Sequence, residues 1–202
     1  MEPQAIPAHW TANDLIIEGA RTHYYRAGMG KDQAKPPMVL AHGFSDNGLC
    51  WQPMAEELAS FYDVFMPDAR GHGLSQRVRR GEKLDPPADL AAFIRAAGLQ
   101  RPIVGGHSMG ASTASQLGAH YPELVRALIL EDPPWRVLPP GEAGRRGISA
   151  RSPLGQWIIS LQSQTLEQVI AQCRLDHPTW PDIIVQRWCE GKKQLDPAFL
   201  SA

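Results

Sequence analysis

Three short apolar runs, at 38–41 (MVLA), 64–66 (VFM) and 103–104 (IV), each give way to turn-forming residues, and a fourth lies at 127–130 (ALIL). None alternates apolar with polar positions, so the pattern predicts strands buried on both faces of a parallel sheet. The segments 51–60, 87–97 and 108–121 between them carry helical spacing at helical length. Pro87 suits a helix opening and Gly98 a helix stop. Ahead of these, 14–18 and 22–26 read as a hairpin turning at Gly19 and Ala20. Strand and helix in strict alternation predict an α/β fold with a doubly wound, mostly parallel sheet.

The pattern changes after position 132. Pro133, Pro134, Pro139 and Pro140 fall within eight residues, and GEAGRRG follows. Such a stretch ends regular structure, which divides the chain into a core at 1–132, a connector at 133–147 and a helical unit at 148–202. In that last unit 154–161, 166–175 and 183–190 have helical spacing. It holds Trp157, Trp180 and Trp188, with Trp135 just before it. Two readings stand: a small helical subdomain whose aromatics fill its own core, or a cap over a pocket. In the second, Trp135 and Trp157 are the expected substrate contacts.

Composition narrows the classes. Of 202 residues 43% are hydrophobic, and 20 Lys+Arg against 21 Asp+Glu leave a net charge of -1. That balance speaks against a nucleic-acid partner and against intrinsic disorder. The opening MEPQAIPAHWTAND has neither a basic region nor an apolar run, so no signal peptide is expected. No segment approaches the roughly 20 apolar residues of a membrane helix, so no membrane partner is expected. Cys50, Cys173 and Cys189 are widely spaced and odd in number, which points to reduced thiols and a cytoplasmic setting.

The strongest chemical signal is Gly106-His107-Ser108-Met109-Gly110, after an apolar run and at the start of a small-residue helix. G-x-S-x-G in that context is a nucleophile elbow, where a sharp strand-to-helix turn exposes a serine and leaves no room for side chains at the glycines. The helix N-terminus behind it offers N–H groups to a developing anion.

Two further motifs accompany it: Ala41-His42-Gly43-Phe44 closes the first run, and Asp68-Ala69-Arg70-Gly71-His72-Gly73-Leu74-Ser75 closes the second. In this order the motifs resemble the α/β-hydrolase superfamily, specifically its lipase-like, cap-bearing members, closely over about residues 13–132. The resemblance implies that Ser108 is the nucleophile. It implies too that the backbone N–H groups of Phe44 and Met109 form an oxyanion hole. His42, Asp68, Arg70, His72 and His107 are expected to brace loops rather than react, and Gly43 to let the chain turn. No cofactor or metal is called for.

A serine nucleophile needs a base oriented by an acid, in chain order Ser, acid, His. A subset of the superfamily that includes lactone-cleaving members uses an acid at the end of the sixth strand. Here that strand end carries Glu131 and Asp132, the latter 24 residues after Ser108. Adjacent strand residues face opposite ways, and Asp132, nearer the carboxyl end, is the expected acid. None of the seven histidines (9, 23, 42, 72, 107, 120 and 177) follows a strand after the cap. The expectation is an N-terminal portion of a hydrolase whose base lies beyond Ala202. A remaining C-terminal segment or a second chain would then be its partner and would cover the apolar edge strand at 127–130.

The leading expected activity is cleavage of a carboxylic ester or lactone through an acyl-enzyme on Ser108. Amide, thioester or carbon–carbon hydrolysis and acyl transfer stand close behind. A non-catalytic small-molecule binder is the alternative of a different class.

Overall fold

In a computed structural model, residues 5–28, 35–79, 81–135 and 149–201 are described. A hairpin of β1 (Thr11–Ile17) and β2 (Ala20–Ala27) comes first. Then follow β3 (Pro37–Ala41), α1 (Gln52–Leu58) after one 3-10 turn, β4 (Asp63–Pro67), α2 (Pro86–Ala96) and β5 (Ile103–His107). The core closes with α3 (Met109–His120) and β6 (Ala127–Glu131). The sheet order is β1-β2-β4-β3-β5-β6; β2 is antiparallel to both its neighbours, and the other pairs are parallel. The predicted fold class is what is observed.

The unalternating runs have the predicted cause. Val39, Ala41, Phe65 and Val104 pack on one face against Leu90, Phe93 and Ile94 of α2 and Ala114 and Leu117 of α3. Met38, Leu40, Val64 and Met66 pack on the other against Leu49, Trp51 and Ala55. Both faces are covered, so no strand position is free to be polar. Full burial of side chains such as Phe93 and Leu117 contributes about 1.5–3 kcal/mol each.

The hairpin turns one residue earlier than expected. Ala20 pairs with Ile17, and the two-residue turn is Glu18-Gly19, with φ of 51° and 78°. Two positive φ values make the I′-type turn that matches strand twist, and Gly19 supplies the second without strain.

The chain resumes as α4 (Pro153–Ser163), α5 (Leu166–Asp176) and α6 (Asp182–Gln194). Ser152 caps α4, and Thr165 with Gln168 forms a capping box on α5. Leu161, Val169, Cys173, Val185 and Cys189 make a core of their own for these helices. Helix α6 is also bonded to the sheet domain. Lys192 pairs with Asp46, Arg187 Nε donates to Gln52 at 2.9 Å, and Asn47 donates to Gln194 at 2.7 Å. The segment after α6 turns back onto the core: Asp196 accepts the Val78 N–H at 2.7 Å, and its own N–H donates to Gly71 at 2.7 Å. The connector read at 133–147 falls almost wholly outside the described residues. Among those described, no helix is long and apolar enough to cross a membrane.

Candidate active site

Ser108 sits between β5 and α3 with φ 51° and ψ -112°, outside both elements. A non-glycine residue there is strained, at a cost of about 1–3 kcal/mol. The glycines two before and two after it explain how so tight a turn closes. A Cβ on Gly106 would lie 2.4 Å from the Gly110 carbonyl, and one on Gly110 only 2.1 Å from the Ala41 carbonyl oxygen. The Ser108 N–H donates to the Glu131 carbonyl at 2.9 Å, and the Ser108 carbonyl accepts the first helical bond of α3 from Ser112 at 3.0 Å. The elbow is thus held by β6 on one side and by its own helix on the other.

Two N–H groups near the elbow are unspent. Met109 opens α3, where a helix leaves its first donors free. Residues 43–46 form a turn closed by the Asp46 N–H on the Gly43 carbonyl at 3.2 Å, with Ser45 at φ 62°. Neither the Phe44 nor the Met109 N–H has a hydrogen-bond partner among the described residues. The close fit at Gly43 concerns packing, not the turn its conformation was expected to allow: a Cβ there would stand 2.9 Å from Nδ1 of His107.

The surrounding histidines and the Asp68 loop are braced as expected. His42 donates from Nδ1 to the Gly43 carbonyl at 2.8 Å and accepts the Ala69 N–H on Nε2 at 2.9 Å, which spends both nitrogens. Asp68, fully buried, accepts N–H groups from Gly48 and Leu74 at 2.7 Å each. Burial nonetheless holds its carboxyl above the usual range, outweighing those bonds. Arg70 is clamped by Glu82 and Asp89. Burial is also the main reason His72 lies well below an ordinary imidazole; its Nδ1 donates to Arg70, and its Nε2 is buried without a partner.

The strand-end acids differ from expectation. Strand β6 stops at Glu131, and Asp132 follows it at φ 44°, exposed, its carboxylate unpartnered among the described residues. Strand alternation therefore does not govern Asp132, because the backbone has already turned. Glu131 stands opposite His107 in the parallel register, and the two line one cavity of about 220 Å³. Its far wall is α6 and the loop before it, contributing Trp180, Ile184, Arg187 and Trp188. Trp135 and Trp157, expected as substrate contacts, are 66% and 40% exposed and do not line this cavity, although the Trp157 ring packs 5.8 Å from that of Trp188.

His23 bonds Asp14 at 2.7 Å, His9 and His120 are exposed, and His177 stacks on Trp180 at 3.9 Å. All three cysteines are free. Burial pushes the Cys50 thiol well up and Cys189 to about 12; thiols so raised are poor nucleophiles. No three His, Cys, Asp or Glu side chains among the described residues cluster as metal ligands.

Residues 36–146 match the alpha/beta hydrolase fold family. N-formylmaleamate deformylase of Pseudomonas putida is 34% identical over 175 residues, which cover 84% of this chain and 60% of that protein. A 2-(acetamidomethylene)succinate hydrolase of Mesorhizobium japonicum is 35% identical over 98 residues, covering 48% of this chain and 35% of that one. The solved N-formylmaleamic acid deformylase of Pseudomonas putida S16, a serine-to-alanine variant, superposes with a TM-score of 0.71 at 25% identity. It covers 95% of this chain and 71% of its own. The chain thus spans about 60% of the deformylase's length and a smaller share of the other curated relative.

Proposed function

Since the chain belongs to the α/β-hydrolase fold family, we propose that it forms the nucleophile-bearing part of a serine hydrolase that cleaves a small N-acyl compound through an acyl-enzyme on Ser108. The observation that carries this reading is the elbow: a strained serine, held between two glycines that admit no Cβ, beside two unspent N–H donors.

The steps follow from those groups. A base takes the Ser108 hydroxyl proton as Oγ bonds to the substrate carbonyl carbon, and the carbonyl electron pair moves onto oxygen. The Phe44 and Met109 N–H groups stabilise that oxyanion; losing one such donor typically costs about 10²–10³ in rate. Collapse breaks the carbon–nitrogen bond, and the base returns its proton to the departing nitrogen. Water then hydrolyses the ester on Ser108, releasing a carboxylic acid. We assign the orienting acid to Asp132, whose carboxylate is uncommitted. Within this chain, His42 has no free nitrogen and His72 is fully buried, so neither serves as the base.

Two similarities favour a nitrogen leaving group over the ester or lactone expected from sequence. The first relative is named for removing a formyl group from N-formylmaleamate. The second is named for hydrolysing an acetamido compound. The test is a matched panel, an N-formyl amide, its ester isostere and a lactone, assayed with wild type and Ser108→Ala. Faster turnover of the amide, lost in the variant, is expected. Preference for the ester or lactone would overturn the bond assignment, and activity that survives Ser108→Ala would overturn the nucleophile.

A further inference from the structure

The cavity between the strand ends and α6 is lined by His107, the residue before Ser108, and by Glu131, whose carbonyl accepts the Ser108 N–H; Ser108 itself is not among the lining residues. Its charges are mostly answered from within. Lys192 pairs with Asp46, and the Arg187 guanidinium bonds Glu190 at 3.0 Å, Gln52 at 2.9 Å and the Ala5 carbonyl. The Glu131 carboxylate alone among the cavity's charged groups has no partner among the described residues. Opposite it stand two indoles that are already fixed. One ring face of Trp180 carries His177, stacked at 3.9 Å and 8°, and the Lys192 ammonium sits 4.7 Å from the centre of Trp188. The two indoles meet edge-on at 6.3 Å. An uncommitted carboxylate facing electron-rich indoles is the chemistry that recognises a flat organic cation or N–H donor.

Resting on the reading of Ser108 as the nucleophile, we propose that this cavity is the leaving-group subsite, which holds the nitrogen-bearing half of the substrate against the wall made by Trp180 and Trp188, with its N–H on Glu131. A volume of about 220 Å³ suits a single ring, being below the roughly 300–1,000 Å³ of sites for drug-sized ligands. Glu131 is thereby a specificity residue, distinct in role from Asp132.

The probe is benzylammonium, compared with its anionic and neutral counterparts benzoate and benzyl alcohol, read by quenching of tryptophan fluorescence. Saturable quenching by benzylammonium is expected, with benzoate and benzyl alcohol at least about fivefold weaker. Glu131→Gln, at an exposed position where the fold tolerates it, is expected to weaken benzylammonium about fivefold, the upper end for an exposed charge pair. Trp180→Leu is expected to weaken all three. Equal binding of benzoate, or a Glu131→Gln protein that binds benzylammonium as wild type does, would overturn the proposal. Ser108→Ala keeps the two claims separate: it removes acyl transfer if Ser108 is the nucleophile, whereas benzylammonium binding does not depend on it.

Discussion

At Ser108 the backbone holds an unfavourable conformation that only the neighbouring packing enforces. Replacing it by glycine, which accepts positive φ, is expected to raise unfolding stability by about 1 kcal/mol while removing the hydroxyl. Gly110→Ala acts in the opposite direction: its Cβ would meet the Ala41 backbone, for a loss of about 3 kcal/mol. Chemical denaturation of both variants checks the pair. His72 sets a pH dependence. Folded, it is kept neutral by burial; unfolded, it takes a proton below its ordinary 6.5. The unfolded chain therefore binds more protons in that range, and stability falls as pH drops below 6.5, by up to about 1.4 kcal/mol per unit. Asp68, raised from 3.8 by burial, works the other way at lower pH, because its folded form holds the proton more tightly. His72→Phe is expected to flatten the slope between about pH 7.5 and 5.5, as measured by urea titrations. At this scale the elbow was legible because its sterics are local. Trp180 and Trp188 were not, because which indole on a helix meets a cavity depends on how the helix docks.

Among elements, the last stretch behaves unlike the cap it was read as ending. Buried Asp196 accepts N–H groups from Val78 and Ala198, at 2.7 and 2.9 Å, and Phe199 packs its ring 4.7 Å from that of His72. These contacts fasten the helical unit to the loop after β4. Asp196→Ala leaves the buried Val78 N–H and the half-buried Ala198 N–H unpaired, for an expected loss of about 2 kcal/mol, and protease should then cut first around 196–200. An unchanged digestion pattern would show that α6 alone holds the unit. The four parallel strands were readable because unbroken apolar runs have few other uses. The end of β6 was not readable: nothing in Leu-Glu-Asp announces that Asp132 turns the backbone to φ 44°.

Across the molecule, one edge of the sheet is β1, and the other is β6, where Leu128 is 38% and Ile129 55% exposed. An apolar edge strand with free N–H and C=O groups invites pairing with another chain. Ile129→Lys is expected to lower the mass of this chain measured by light scattering after gel filtration. A monomer before and after the substitution would show that the edge is inert. Ser108 is proposed to act as a nucleophile in an assembled site. The most direct measurement treats the protein with a fluorophosphonate probe, digests it and locates the adduct by mass spectrometry. The result predicted here is one adduct, on Ser108, absent from Ser108→Ala; a protein left unlabelled, or labelled at another residue, would contradict it.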